Sequence, residues 1–142
     1  MKKSIFFALF LTAGLFFLNA CDVVDNITNP YKDWYMTINM TPKPSGITEV
    51  DVSSASISLG TVSSIVFDSI IKNANDDTQS ISNVSWTMNV EGRGPLPVQF
   101  VNFLIEYNRV EISTGFAING DKLVISTYWQ DLVKTSTITF TN

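Results

Sequence analysis

Few residues of this chain combine the type and the spacing that chemistry requires. The 142 residues include one cysteine and no histidine, so the commonest general base and the commonest zinc ligand are both absent. Asn73, Asn75 and Asp77 have the spacing that opens an EF-hand calcium loop. That loop also needs a glycine and a bidentate acid, and Thr78 and Val84 stand in those places. A solvated loop between two strands is the better interpretation.

Two carboxylates and one glycine-containing segment remain as candidates for chemistry. Glu106 and Glu111 could form an acid and base pair, but charges on adjacent strands are more often surface residues. The segment Gly92-Arg93-Gly94 is not a phosphate loop, because the Gly-Lys-Ser/Thr ending and a following helix are absent. We therefore expect no catalytic residue, no cofactor and no metal, and predict that the protein is not an enzyme.

The single cysteine, Cys21, follows directly on an apolar segment. Lys2 and Lys3 provide a positive start, residues 5–18 are almost wholly apolar, and Leu18-Asn19-Ala20-Cys21 ends the run. The run is too short to span a hydrocarbon core of about 30 Å comfortably and is typical of a secretory signal core. It resembles the lipobox of a bacterial lipoprotein signal peptide. An ordinary secretory signal with a chance cysteine near its end is the alternative.

The resemblance has consequences for processing and location. It implies cleavage before Cys21, a diacylglycerol on the Cys21 thiol and, usually, an acylated new amino group. Two or more acyl chains anchor a protein stably, whereas one chain binds a membrane only marginally. We therefore expect a lipid-anchored protein of the bacterial cell envelope, on the outer membrane or a periplasmic face rather than the inner membrane. Asp22 resembles the inner-membrane retention signal of some enteric bacteria, a rule that other phyla do not use.

The predicted domains are a signal peptide at residues 1–20, a lipidated tether at 21–31 and a single all-β domain at 32–142. Loss of Lys2 and Lys3 with the signal leaves 7 basic against 13 acidic residues, a net charge of −6. This charge argues against nucleic acid as a partner and against binding anionic lipid by charge. The expected partners are the membrane, through the anchor, and either a small apolar ligand or an envelope protein.

Serine, threonine, valine, isoleucine and aromatic residues dominate the domain, and no long segment has a clear helical period, so we predict an all-β fold. The segment 98–107 also fits a helical stripe, but its aromatic and β-branched residues favour a strand. The predicted strands are 34–40, 47–52, 55–59, 62–72, 81–90, 98–107, 110–118, 123–130 and 135–141.

Asn119-Gly120 predicts a hairpin with a two-residue type I′ turn, because both turn positions of that type need a positive φ. The resulting register places Phe116 opposite Leu123 and Val110 opposite Trp129. One face of the hairpin is then almost entirely apolar, and a slip of one residue would mix the two faces.

Several aromatic residues lie on the apolar faces of different predicted strands, Phe67 among them. In a filled core they pack against one another, and in a barrel with a cavity they line a site for a small apolar ligand. The predicted ligand-binding residues, if such a cavity exists, are Trp34, Trp86, Phe103, Phe116 and Trp129.

The early strand with Trp34, the proline-rich break, the antiparallel meander and the late hairpin at 119–123 resemble the lipocalin-like domains of bacterial lipoproteins. The resemblance covers about residues 31–142. It implies an antiparallel meander barrel of about eight strands that binds a small apolar molecule, and an immunoglobulin-like β-sandwich is the alternative. The expected function is a membrane-tethered, non-catalytic binding lipoprotein. The alternative is a structural or assembly lipoprotein that contacts another envelope protein through a strand edge or an apolar face.

Overall fold

The computed structural model describes residues 30–43, 51–81, 83–104 and 108–142. The predicted signal segment, Cys21 and most of the predicted tether lie outside these ranges, as do positions 47–50 of one predicted strand. Residues 34–142 form one compact unit, and the unit before it comprises residues 1–33. The description below concerns residues 34–142.

Among the described residues of this unit, strands account for all the regular structure apart from two single-turn 3₁₀ helices, Val98–Phe100 and Thr114–Phe116. The prediction of an all-β fold is therefore confirmed for the described residues. None of the helices described there is long and apolar enough to cross a membrane. The strands are β1 (Tyr35–Thr41), β2 (Ser54–Ser58), β3 (Ser64–Lys72), β4 (Thr78–Gln79), β5 (Ser85–Val90), β6 (Gly94–Pro95), β7 (Val101–Leu104), β8 (Arg109–Ser113), β9 (Lys122–Trp129) and β10 (Leu132–Thr141).

The strands form two sheets. Sheet 1 has the order β1-β3-β8-β7, with β4 paired to the end of β3, and all its pairs are antiparallel. Sheet 2 has the order β2-β10-β9-β5-β6. Its pairs are antiparallel except for β2 and β10, which run parallel.

The hydrophobic core lies between the two sheets. Buried and less buried residues alternate along β3 and β10. Ile65 and Phe67 of β3 and Ile138 and Phe140 of β10 therefore point into the core. Burying a side chain of this size stabilises the fold by about 1.5–3 kcal/mol. One continuous cluster joins both sheets, so they pack face to face as in a β-sandwich. Its largest fully buried members are Phe67, Phe140, Ile38, Met40, Ile65, Ile112, Leu123, Ile125 and Ile138.

The prediction of a closed meander barrel is wrong, because neither sheet closes on itself. The segment before β2 shows the reason. The Val52 amide donates to the Ile38 carbonyl of β1 at 2.8 Å, and the neighbouring Ser53 carbonyl accepts from the Thr137 amide of β10 at 3.0 Å. The chain thus leaves sheet 1 for sheet 2 between these two residues, and β2 then pairs in parallel with β10 instead of extending a meander.

The predicted hairpin around Asn119-Gly120 is also wrong. β8 pairs with β3 and β7 in sheet 1, whereas β9 pairs with β10 and β5 in sheet 2. The 3₁₀ turn Thr114–Phe116 ends β8, and Phe116 is buried in the core. The apolar faces of β8 and β9 therefore do not form one continuous face; they meet the core from opposite sides.

The Asn119-Gly120 turn connects the two sheets and is of type II. The Asp121 amide donates to the Ile118 carbonyl at 3.0 Å, and of the two central residues only Gly120 has a positive φ, +89°. Type II turns need a positive φ at the third position alone. The Asp121 carboxylate accepts from the Ile118 amide at 3.1 Å and pairs with Arg93, which also reaches the Phe116 carbonyl. These bonds hold the crossover against the β5–β6 turn.

Gly120→Ala is expected to lower the free energy of unfolding by about 1–2 kcal/mol, because the left-handed backbone is strained for a residue with a Cβ. A Cβ at Gly120 would meet open space, so the cost comes from φ alone. Gly115→Ala in the same crossover is the control, since its Cβ would make ordinary contacts and its φ is not positive. Urea denaturation of both variants measures the difference, and equal midpoints would contradict the type II turn.

Candidate functional site

Three of the five predicted ligand residues come together at one end of the sandwich. Trp34, before β1, stacks on Trp129, at the end of β9, with ring centroids 5.7 Å apart and an interplanar angle of 17°. Trp86, near the start of β5, packs on the same group of side chains. We call these residues the tryptophan cluster; its buried members are Met36, Ile71 and Val84.

The other two predicted ligand residues lie elsewhere. Phe116 is 7% exposed and lies in the main core between two other phenylalanines. The centroid of its ring is 5.7 Å from that of Phe100 and 5.5 Å from that of Phe140. Phe103 lies on the edge strand β7, opposite Val110, and is 44% exposed. The five residues thus occupy three places, and the middle of the sandwich is occupied by side chains such as Phe67 and Phe140 that have no exposure.

An open groove borders the tryptophan cluster on the outer side of sheet 2. Its volume is about 420 Å³, and we call it the end groove; it is lined by Asn83, Ser85, Tyr128, Trp129 and Gln130. Of these residues, only Trp129 was among the predicted ligand residues. Tyr128 and Ser85 occupy outward strand positions, so their alternation with the inward residues is the signal that the sequence offers for them.

Tyr128 stands on the outer face of sheet 2 and is 37% exposed. It lies opposite Ser85 of β5 on one side and Val133 of β10 on the other. Its phenolic oxygen is 3.4 Å from the Thr87 hydroxyl, a long hydrogen bond. The ring is thereby positioned by a rigid sheet, and an aromatic body with a polar tip is presented to solvent.

The backbone at the end groove is strained at two positions. Among the described residues, three that are not glycine have a positive φ, and two of them, Asn83 at +66° and Gln130 at +50°, line this groove. Such a conformation costs about 1–3 kcal/mol and is concentrated at ligand sites and switch regions. The third residue, Asp76, belongs to the loop between β3 and β4.

Gln130→Gly is expected to raise the free energy of unfolding by up to about 1 kcal/mol, because glycine adopts a positive φ without a steric penalty. Gln130 and Asp131 are the two turn residues between β9 and β10, and Asp131 does not have a positive φ. Asp131→Gly is therefore the matched control and is expected to bring no gain. A thermal or urea midpoint that falls equally in both variants would show that side-chain contacts, not φ, dominate at Gln130.

A dense array of hydroxyl groups extends from the end groove across sheet 2. The register places Ser126 between Thr87 and Thr135, and Thr137 opposite Ser54. The Ser126 and Thr135 hydroxyls are 2.8 Å apart. On the described strands of sheet 2, Lys122 is the one charged residue at an outward position, and it pairs with Glu91. We call this surface the hydroxyl face; its serines and threonines are Ser54, Ser56, Ser58, Ser85, Thr87, Ser126, Thr135, Thr137, Thr139 and Thr141.

The segments considered for metal or acid–base chemistry have other partners. The Asn73 side-chain oxygen accepts the amides of Asn75 at 2.9 Å and Asp77 at 3.0 Å, and so closes its own turn. Glu111 accepts the Ser64 hydroxyl at 2.7 Å, whereas Glu106 lies outside the described residues. Within the described ranges, no group of three or more acidic, histidine or cysteine side chains is placed to hold a metal ion.

Comparison with known proteins adds no family to this description. No protein-family model matches the chain, and no curated protein is detectably similar to it. The described residues define a two-sheet, all-β domain with an aromatic and amide groove at one end of a hydroxyl-rich face that carries one charged residue, Lys122.

Proposed function

We propose that this protein is a lipid-anchored, non-catalytic binding module of a bacterial cell envelope, and that it binds its ligand on the outer side of sheet 2. The end groove carries the proposal, because it combines an exposed aromatic ring, two amide side chains and two strained backbone positions. The lipobox-like segment ending at Cys21 supports the anchor. The net charge of −6 after signal removal argues against nucleic acid as the ligand.

Surface binding is a better account of the aromatic residues than an interior pocket. A pocket for a small apolar molecule would require Trp34, Trp86, Phe103, Phe116 and Trp129 to surround one space, and they lie at three separate places. The tryptophan cluster then has a supporting role. Its stacked pair, Trp34 and Trp129, includes the strand residue that directly precedes Gln130.

We further propose that the sandwich is immunoglobulin-like. The order β1-β3-β8-β7 corresponds to strands A-B-E-D of that fold, and β10-β9-β5 corresponds to G-F-C. Trp86 lies on β5, the counterpart of the strand that carries the buried tryptophan of immunoglobulin domains. Since such folds serve many functions, this correspondence supports the architecture, and the binding role depends on the end groove.

Amide chemical-shift mapping on the isotope-labelled full-length chain tests the site. Separate titrations with fatty acid, soluble saccharides and envelope protein fractions are compared. Shifts confined to residues 83–85 and 128–130 are expected for the proposed site. Shifts around Phe116 and Phe140 on addition of fatty acid would instead establish an interior cavity and overturn surface binding.

A structural or assembly lipoprotein is the second candidate, and the edge of sheet 2 favours it. β2 is the last strand in the order of sheet 2, and its sequence, Ser-Ala-Ser-Ile-Ser, contains neither a charge nor a proline that would discourage pairing. A groove of about 400 Å³ runs beside it, lined by Pro42, Lys43, Ser56, Ile57, Ser58, Thr61 and Val62. A strand from another protein could add to this edge through backbone hydrogen bonds.

Ser56→Pro separates the two candidates. The Ser53 carbonyl and the Leu59 amide face β10, so the even-numbered residue Ser56 directs its own backbone groups away from β10, toward the β2 edge of sheet 2. Proline is tolerated at such a position but removes the donor that an added strand needs. If assembly is the function, Ser56→Pro abolishes co-purification of an envelope partner, and Tyr128→Ala does not. Loss of the partner in Tyr128→Ala but not in Ser56→Pro supports binding at the end groove.

A further inference from the structure

We infer that the end groove and the adjoining hydroxyl face bind a neutral saccharide chain; this rests on the proposed function and names its ligand class. A sugar ring has an apolar face of C–H groups and a rim of hydroxyl groups. A site that complements it therefore needs an aromatic surface surrounded by groups that both donate and accept hydrogen bonds.

The end groove has both components. Tyr128, a residue that is 37% exposed on the outer face of sheet 2, supplies the apolar surface with its ring. Asn83 and Gln130 each carry an amide with two donors and an acceptor, and the Ser85 hydroxyl both donates and accepts. The groove is open to solvent and has a volume of about 420 Å³, so it suits a ligand that lies along the surface.

The charge distribution favours a neutral ligand. None of the five residues that line the end groove is charged. On the hydroxyl face, the Lys122 Nζ lies 3.3 Å from the Glu91 Oε2, and this ion pair partly neutralises the charge of Lys122. A sulfated, phosphorylated or carboxylated glycan would lose hydration on this surface and find no cation to replace it, so charged glycans are disfavoured.

The hydroxyl face favours a chain over a single sugar. Outward residues on one strand lie about 6–7 Å apart, and neighbouring strands about 4.8 Å apart. The exposed residues Thr87 and Thr135 continue directly from the Tyr128 row, on either side of Ser126, which is itself buried. A saccharide chain would stack one sugar ring on Tyr128 in the groove and make several further weak contacts along the hydroxyl face. A monosaccharide would contact the groove alone.

The strained positions fit the same interpretation. Asn83 and Gln130 have a positive φ, and at Gln130 the two-residue turn between β9 and β10 holds the backbone in this conformation beside the groove. The stack of Trp34 on Trp129 holds the last residue of β9, which directly precedes Gln130. The groove is therefore preorganised, which reduces the entropy lost on binding.

The experiment uses the purified full-length chain in a detergent without a sugar headgroup. Cellohexaose, maltohexaose and chitohexaose are titrated by calorimetry, and binding is mapped by amide chemical shifts. Wild type is expected to bind at least one of them, with shifts at residues 83–85 and 128–130. Tyr128→Ala is expected to weaken that binding at least about tenfold, and Gln130→Gly to weaken it while stabilising the fold.

Tyr35→Ala is the matched control, because Tyr35 is a similarly exposed tyrosine, 39%, on the other sheet. The Tyr35 phenol donates to Asp76, and this hydrogen bond raises the Tyr35 pKa. Tyr35→Ala is expected to leave saccharide affinity unchanged. An equal loss of affinity in the Tyr35 and Tyr128 variants would overturn the assignment to the end groove.

Failure of the saccharide inference and failure of the proposed function are distinguishable. If no neutral saccharide shifts the end-groove amides but a fatty acid, an anionic glycan or an envelope protein does, the ligand class is wrong and the groove remains the binding site. If no titrant of any class shifts those amides, both proposals are overturned. Binding of monosaccharide and hexasaccharide with equal affinity would overturn the role of the hydroxyl face.

Discussion

Phe116→Ala will lower the free energy of unfolding by about 3–5 kcal/mol, the range for removing a large aromatic side chain from a packed core. Phe116 is 7% exposed and contacts Phe100 and Phe140 in tilted and edge-on geometries. Each such aromatic pair contributes about 0.5–1.5 kcal/mol beyond the buried area. Because Phe116 also ends the 3₁₀ turn that carries the chain between sheets, little relaxation can fill the space left behind.

Phe103→Ala provides the comparison, since both phenylalanines were predicted to line one site. Phe103 lies on the edge strand β7 and is 44% exposed, so its truncation is expected to cost about 1 kcal/mol or less. Urea denaturation of both variants, with a fluorescent fatty acid as a second probe, measures stability and interior binding together. A Phe116 variant that keeps wild-type stability but loses fatty-acid binding would restore the cavity hypothesis.

The positions of the strands follow from local sequence. In β1 and β3 the inward residues alternate with polar ones, and burial on one face enforces that period regardless of which strands become neighbours. The predicted segments 34–40 and 62–72 therefore correspond closely to β1 and β3. In 98–107, the strand interpretation is confirmed for Val101–Leu104, after a single 3₁₀ turn that the pattern did not indicate.

The pairing of the strands does not follow from local sequence. Asn119-Gly120 favours a hairpin only if the flanking segments remain extended, and the 3₁₀ turn at Thr114–Phe116 ends β8 before that condition is met. The inward faces of β8 and β9 are equally apolar whether the strands pair side by side or face each other across a core. Alternation reports burial and not the neighbour, so a barrel and a sandwich have the same pattern.

The candidate site was predicted only where it is apolar. Aromatic spacing identified Trp129, and three tryptophans do meet at one end of the sandwich. Tyr128 alternates with the inward residues of β9 and lies on the outer face, but only apolar residues were predicted as a site. Gln130 and Asn83 owe their interest to a positive φ, a property set by turn geometry that their residue types do not reveal.

Cys21→Ser is expected to abolish lipidation and membrane attachment entirely. The reason is chemical: a serine hydroxyl does not replace the thiol that the lipobox resemblance makes the acceptor of the diacylglycerol. The precursor should accumulate uncleaved, because in lipoproteins of this kind the modified cysteine marks the cleavage site. Cys21 lies outside the described residues, so this remains a prediction from the sequence.

Mass spectrometry of the N-terminal peptide and fractionation of membranes measure the outcome. Wild type should give a peptide that begins at a lipid-modified Cys21 and should remain with the membrane after a high-salt wash, since the anchor does not depend on charge.

Asn19→Ser is the matched control, because it changes the lipobox beside the cysteine without removing the thiol, and it should still be processed. The urea midpoint of the β domain should be the same in wild type and Cys21→Ser, because the ten strands that the structure describes lie within residues 34–142. An unmodified thiol on the wild-type peptide, or cleavage at another bond, would show that the protein is secreted by an ordinary signal and would leave the binding site without its proposed anchor.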